Sequence, residues 1–130
     1  MNATAATRQK RLLMVDFENI QQINPSEIPS DMHIVVFLGA AQKNISIDLV
    51  AQTQKLGSRL EWKRIETPGK NALDFFIAYY LGRTLKKEPQ TECVILSKDT
   101  GFDPLIKALK SEKHNCRRIT RLSELKTASS

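Results

Sequence analysis

Short, continuous apolar runs that alternate with helical patterns are the feature that most constrains how this chain can fold. Residues 12–15 (LLMV), 32–38 (MHIVVFL) and 92–97 (ECVILS) are apolar over most of their length instead of at every second position. Runs of this kind are typical of strands buried on both faces, as in a parallel sheet. The segments between them predict helices at residues 46–56, 70–86 and 102–110. Strands that alternate with helices indicate an α/β fold, in which helices cover both faces of a mostly parallel sheet.

The helical segments also predict which side chains face the sheet. In the longest segment, apolar residues recur at the spacing of an amphipathic helix: Leu73, Phe76, Ile77, Tyr80 and Leu81. In the segment 46–56 the predicted apolar stripe consists of Ile47, Val50, Ala51 and Gln54. Gly57 is a stop signal for that helix. Two more polar runs, 59–65 and 116–119, predict further strands and bring the sheet to about five strands.

The length and the termini favour one domain without a membrane segment. A chain of 130 residues is long enough for a single core. The small, polar stretches 1–9 and 126–130 predict disordered tails, which leaves residues 10–125 for the domain. The apolar run before Asp16 is too short for a signal peptide, and nothing downstream resembles a membrane span. Cys93 and Cys116 form no disulfide or zinc pattern, so we expect a reducing, cytoplasmic location.

The charge balance favours a polyanionic partner. Lys and Arg number 20 against 14 Asp and Glu, which gives a net charge of +6. Such an excess is common in proteins that bind nucleic acid, although charge alone does not establish it. Several other site types are absent from the sequence, namely HExxH, GxSxG, the P-loop and GxGxxG.

Aspartates stand where apolar runs stop. Asp16 ends the first run, Asp99 follows the run 92–97, and Asp74 lies near the start of the longest helix. The carboxyl ends of parallel strands share one edge of the sheet, where ligands bind in α/β folds. Carboxylates that meet there repel one another unless a cation lies between them, and Mg²⁺ and Mn²⁺ prefer oxygen ligands. The pattern therefore predicts a divalent metal site.

Each of these residues also has a purely structural interpretation. Asp16 and Asn19 are residue types that often cap short helices. Asp74 would be favoured by the helix dipole, although an acid beside so many apolar neighbours is costly unless it is paired or bound to metal. Asp103 precedes a proline and suits a helix N-cap. Glu18 has no special context and is interpreted as background.

Residues beside the acids predict contacts with a nucleic-acid backbone. Lys70 precedes the helix that carries Asp74, and Lys98 lies next to Asp99. The hydroxyl of Ser97 is a further donor for a phosphate or a water molecule. Trp62 and Tyr79 are either base-stacking rings or part of the core, and the sequence does not decide between these two roles.

Three segments, VDFENI, GKNALDFFIAYYLG and VILSKDTGFDPLIKALK, resemble the PIN-like nuclease family and in particular its NYN-type branch. The resemblance covers about residues 11–119, with the motifs in the order and spacing of the family. It implies a three-layer α/β/α sandwich that acts as a Mg²⁺- or Mn²⁺-dependent endoribonuclease. By position, Asp16 resembles the metal ligand of the first strand and Asn19 its polar companion. Asp74 resembles the helical acid, and Asp99 the acid after the fourth strand.

The chain departs from the family pattern at one position. The NYN-type pattern commonly has a second acid two residues after the acid of the fourth strand, where this chain has Gly101. Asp103, two residues further on, is the predicted substitute. The predicted metal ligands are therefore Asp16, Asp74, Asp99 and Asp103, with Asn19 as a fifth catalytic residue.

The resemblance also implies partners, and it leaves alternatives open. Single-stranded RNA is the expected substrate. Many members of the family are toxins held by an antitoxin, so a regulatory protein is a further expectation, and the sequence is compatible with a homodimer. The main alternative is a catalytically silent module that binds RNA or a protein. A phosphotransfer domain is a third class, disfavoured because Glu18 stands where a DxDxT motif has its second aspartate.

Overall fold

The computed structural model describes residues 10–127. Within them the chain forms five strands, four α-helices and three short 3₁₀ segments. The strands are β1 (Arg11–Asp16), β2 (Met32–Leu38), β3 (Leu60–Arg64), β4 (Glu92–Leu96) and β5 (Asn115–Ile119). The helices are α1 (Ile47–Thr53), α2 (Ala72–Lys87), α3 (Asp103–Ser111) and α4 (Glu124–Thr127). The 3₁₀ segments are Pro25–Glu27, Gln54–Arg59 and Thr100–Phe102.

The strands form one sheet in the order β3-β2-β1-β4-β5, and every neighbouring pair is parallel. The first strand is central: it pairs with β2 up to Asp16 beside Phe37, and with β4 up to Val15 beside Leu96. The chain moves outward from β1 on one side and then returns to β4 on the other. Parallel sheets bind ligands at such a reversal of strand order, outside the carboxyl ends of the strands. The α/β prediction is confirmed.

Helices cover both faces of the sheet and make a three-layer structure. On one face, α2 buries Leu73, Ile77, Leu81 and Leu85 in a cluster that also contains Phe102 and Ile106 beside α3. On the other face, the cluster includes Leu49 of α1 and Leu125 of α4. The three inner strands β1, β2 and β4 are buried on both sides, which explains why their sequences are continuously apolar, whereas the edge strands β3 and β5 are more exposed and more polar.

The stripe predicted for α2 is confirmed and the one predicted for α1 is wrong. In α2, Leu73, Ile77 and Leu81 are buried, while Phe76 and Tyr80 are half-buried against the same cluster. In α1, the buried residues are instead Leu49 and Thr53, and Ile47 is 77% exposed. Thr53 can be buried because its hydroxyl donates to the carbonyl oxygen of Leu49 at 3.0 Å. The prediction failed because it counted only apolar residues, whereas Thr53 is buried with its hydroxyl hydrogen-bonded inside the helix.

The predicted tail at residues 1–9 lies outside the described residues, as do residues 128–130 of the second predicted tail. The backbone of residues 126 and 127 belongs to α4. Between residues 10 and 127, the structure has no helix with the length and apolar composition of a membrane span. Cys93 and Cys116 are free, buried thiols. The cytoplasmic location stays a prediction.

A lysine in a left-handed conformation ends α3 and provides a test of the fold. Lys113 has φ 74°, its N–H donates to Lys110 O, and the N–H of His114 donates to Leu109 O. This is a Schellman arrangement, in which glycine is the favoured residue because a Cβ is strained at positive φ. Lys113→Gly is expected to raise the free energy of unfolding by about 0.5–1 kcal/mol, as measured by urea denaturation. The control is Lys110→Gly, inside the helix, which should lower the free energy of unfolding by about 1 kcal/mol in the same assay. A lowered stability for Lys113→Gly would contradict the assigned helix end.

Candidate metal centre

Asp16 holds one carboxylate oxygen in hydrogen bonds and keeps the other free. It is the last residue of β1 and only 1% exposed. Its Oδ2 atom accepts hydrogen bonds from Asn19 Nδ2 and from Ser97 Oγ, each at 2.7 Å. Its Oδ1 atom is buried and has no hydrogen-bond partner. A buried carboxylate oxygen without a partner is costly, so this atom is suited to a cation or another ligand.

The chain turns sharply after β1, which brings Asn19 back to the carboxylate. The backbone N–H groups of Asn19 and Ile20 both donate to the carbonyl oxygen of Asp16, at 3.1 and 2.9 Å. The side chain of Asn19 therefore acts on Asp16 directly. This agrees with the orienting role that the family resemblance implies for Asn19.

Ser97 is completely buried and contacts the acidic site from the interior of the protein. It follows β4, beside β1, and its hydroxyl donates to Asp16 while accepting the backbone N–H of Asp99 at 3.0 Å. The sequence had suggested a contact with phosphate for this hydroxyl. The structure places it where it can only orient Asp16 and the loop that carries Asp99.

Asp99 lies in the loop after β4, where Gly101 makes room for its carboxylate. The N–H of Gly101 donates to Asp99 Oδ1 at 2.8 Å, so Asp99 caps the 3₁₀ segment that follows. A Cβ atom added at Gly101 would lie 2.9 Å from the same oxygen. The glycine that departs from the family pattern is thus the residue that permits this close contact. Asp103 begins α3 without making a side-chain cap, contrary to the capping interpretation.

Asp74 is the acid whose surroundings disturb its ionisation most. It lies in the first turn of α2 and is partly buried. Its pKa is raised to about 6, first by burial, then by a hydrogen bond to the carboxyl group of Asp99, and further by the charges of Asp99, Asp16 and Glu18. Each neighbouring acid disfavours ionisation of Asp74, so this group of carboxylates carries more negative charge than its own surroundings balance.

Glu18 is a fourth acid near the site that the sequence interpretation missed. Its charge contributes to the raised pKa of Asp74. Its carboxylate lies over Gly39, the residue directly after β2, where an added Cβ would overlap it. The sequence feature that could have drawn attention to Glu18 is Gly39, which follows β2 at the same edge of the sheet as Asp16.

The structure does not bring Asp103 into the acidic group. Its carboxylate accepts two hydrogen bonds from the guanidinium group of Arg118, at 2.8 and 3.2 Å, and this pairing lowers the pKa of Asp103. Arg118 also donates to the carbonyl oxygen of Ser97 at 3.0 Å. Arg118 therefore ties β5 both to the start of α3, through Asp103, and to Ser97 after β4, and the carboxylate of Asp103 is engaged in this contact.

An open cleft with basic side chains borders the site. It has a volume of about 700 Å³, and its lining includes Asn19, Lys98 and Arg121. Lys70, which precedes α2, is exposed. A larger cavity, about 1020 Å³, lies elsewhere, near the start of β1 and the end of α2, so cavity size does not mark the acidic site. The cleft next to Asn19 is the better path for a polyanion because it adjoins the acids.

The acidic group fits a hard divalent cation by its chemistry and charge. Asp16 offers a buried oxygen without a partner, and three further carboxylates lie near enough to affect one another electrostatically. Oxygen-only donors with excess negative charge are typical of Mg²⁺ and Mn²⁺ sites. Within residues 10–127, no three His, Cys, Asp or Glu side chains are already grouped as a formed metal site. The partnerless Asp16 oxygen and the raised pKa of Asp74 are both what competing carboxylates produce, and a cation between the acids would relieve both.

Comparison with known proteins gives one match. A family model described as a PIN domain matches residues 10–119, which include Asp16, Asp74 and Asp99. PIN domains are generally metal-dependent nucleases, and they commonly bind RNA. No curated protein and no solved structure matches the chain.

Proposed function

This chain belongs to the PIN domain family, and we propose that it is a divalent-metal-dependent endoribonuclease of the NYN-type branch. Its reaction is hydrolysis of phosphodiester bonds in single-stranded RNA. The observation that carries the proposal is the buried carboxylate of Asp16, which keeps one oxygen without a partner next to the acids Asp74 and Asp99. The net charge of +6 supports a polyanionic substrate.

Asp16, Asp74 and Asp99 are the proposed metal ligands. Glu18 is the nearby acid best placed to supplement them, since Asp103 is engaged by Arg118. A bound Mg²⁺ or Mn²⁺ supplies Lewis-acid activation of the attacking water and stabilises charge on the phosphate oxygens. The chemistry of the donors does not distinguish between the two metals.

The protein's own side chains orient the acids and hold the substrate. Asn19 and Ser97 fix the rotamer of Asp16 by donating to one of its oxygens, so the other oxygen points to a constant position. Lys98 and Lys70 are proposed to bind the phosphates on either side of the scissile bond, since both are exposed next to the acids. Binding to RNA should accordingly weaken as the salt concentration rises.

One observation favours a second candidate function. Gly101 contributes no carboxylate, and Asp103 is paired with Arg118, so this side of the site has fewer acids than the NYN-type pattern. A module that binds RNA without cutting it would have the same basic cleft. An inhibitory protein partner and a homodimer are further proposals that the family membership permits.

Cleavage of labelled single-stranded RNA distinguishes the two functions. We expect the purified protein to cut the RNA with Mn²⁺ or Mg²⁺, and to stop when EDTA removes the metal. Mass spectrometry of the products would show internal cuts for an endoribonuclease. Salt-sensitive binding with no cleavage under either metal would replace the nuclease by the silent module.

A further inference from the structure

The outer face of α2 carries aromatic side chains that the core does not use. Phe75 is 72% exposed and Tyr79 is 60% exposed. They are four residues apart and therefore neighbours on the helix surface, and Arg83 continues the row after four more residues. We call Phe75, Tyr79 and Arg83 the aromatic row. Single exposed apolar residues are ordinary, but two large rings in a continuous row call for a partner.

Cationic groups lie beside Tyr79 and beside Tyr80, the next residue of the helix. The guanidinium group of Arg83 lies 5.4 Å from the ring centroid of Tyr79 and 5.4 Å from that of Tyr80. The Nζ atom of Lys63 lies 5.6 Å from the Tyr80 ring. These distances are within the range of cation–π contacts, which keep a positive charge beside the aromatic surface. A partner with planar rings and negative charges matches this combination.

The aromatic row begins at the end of α2 that also carries Asp74. Phe75 directly follows Asp74, and the row then runs along α2 for about 12 Å, at 1.5 Å per residue. A strand with a phosphate at the acids could therefore continue along the row. The other ring that the sequence left open, Trp62, is half-buried and packs edge-on against Phe17 at 6.2 Å. Trp62 belongs to the core, whereas Tyr79 does not.

We propose that the aromatic row stacks unpaired bases of the RNA strand whose phosphodiester bond lies at the acidic site, an inference that rests on the proposed function. The two rings are about 6 Å apart along the helix axis. This is wider than the rise of about 3.4 Å between stacked bases of one helical strand. Each ring therefore stacks on a base that is no longer stacked on the next base of the strand. An unpaired strand can separate its bases in this way, whereas a duplex cannot.

Fluorescence anisotropy with a labelled oligouridine tests the row without relying on cleavage. All variants are made in the full chain with Asp16→Asn, so that the RNA stays intact. Phe75→Ala combined with Tyr79→Ala should weaken binding about 30-fold or more, since each stacked base contributes separately. The salt dependence should be unchanged, because no phosphate contact is lost. Ile47→Ala removes an equally exposed apolar side chain from α1 and should have no effect.

Substrates without bases give the complementary result. An oligonucleotide of equal length with abasic sites should bind the intact row as weakly as oligouridine binds the double variant, and the double variant should not distinguish the two. Equal binding of oligouridine with and without the rings would overturn the stacking role, even if the wild-type protein cuts RNA. If binding depends on the two rings but the wild-type protein does not cut RNA, the nuclease function is refuted while the stacking role of the row stands. A dimer in sedimentation equilibrium that the double variant dissociates would reassign the row to a protein interface.

Discussion

Asp16→Asn is expected to slow metal-dependent RNA cleavage by a factor of at least about 100 while the protein stays folded. A carboxylate that holds a catalytic cation contributes several kcal/mol to stabilisation of the transition state, and about 1.4 kcal/mol corresponds to a factor of ten in rate. The fold should persist because the side-chain oxygen of asparagine can still accept from Asn19 and Ser97. Its amide then takes the place of Oδ1, close to carboxylates that can accept a hydrogen bond.

The measurement is a single-turnover cleavage rate with Mn²⁺, accompanied by circular dichroism of each variant. Asp48→Asn is the matched control, because Asp48 is an exposed acid in the first turn of α1, away from the site. It should cut RNA at the wild-type rate. Wild-type cleavage by Asp16→Asn would remove Asp16 from the metal ligands. A loss accompanied by unfolding would mean that Asp16 acts on stability.

The central part of the fold could be predicted because its signal is local. The strands β1, β2 and β4 are buried on both faces, so their sequences are continuously apolar and their ends are easily found. Asp16 breaks such a run, and in a parallel sheet that break lies at the edge where ligands bind. The position of Asp16 therefore followed from the sequence, and the family resemblance supplied Asn19 as its companion, but the hydrogen bond from Ser97 did not follow from either.

The remaining acids depend on contacts between distant segments. Asp103 looks like a metal ligand or a helix cap until Arg118 of β5, fifteen residues later, captures it. Glu18 looks like background until β2 brings Gly39 beneath its carboxylate. Neither contact leaves a pattern within a short window of sequence. The sequence therefore placed Asp103 among the metal ligands, whereas the structure pairs it with Arg118 and brings Glu18 near Asp74.

The outer face of α2 illustrates a limit of hydrophobic periodicity. The segment is apolar at so many positions that the helical period identifies the buried stripe but does not exclude further buried residues. Phe75 and Tyr79 lie off that stripe, and only the packed structure shows that no element between residues 10 and 127 covers them. Off-stripe aromatic residues beside a predicted site are thus a useful signal for a binding surface.

The raised pKa of Asp74 predicts that the metal-free protein loses stability as the pH rises. Its usual pKa is 3.8, and in the folded protein it is about 6. Between these values the folded state binds more protons than the unfolded state, so the free energy of unfolding falls as the pH increases through this window. Above about pH 6 the loss is complete. Because Asp74 is partly solvated, we expect a loss on the order of 1 kcal/mol, less than the full shift would give.

Asp74→Asn should remove this loss and also the response to metal. With EDTA near pH 7.5, the variant should melt about 3–5 °C above the wild type. Near pH 5 this difference should be about half as large, and it should vanish only as the pH approaches 3.8, the usual pKa of the carboxyl group. Mn²⁺ should stabilise the wild type near pH 7.5 and much less near pH 5, because the cation competes with the proton on Asp74. The melting temperature of Asp74→Asn should rise only slightly with Mn²⁺ at either pH. Differential scanning calorimetry of both proteins, with Asp48→Asn alongside, measures all of these quantities. If Asp74→Asn melts below the wild type near pH 7.5 without metal, the ionised Asp74 side chain stabilises the protein. The acids would then not repel one another as a cation site without its metal requires.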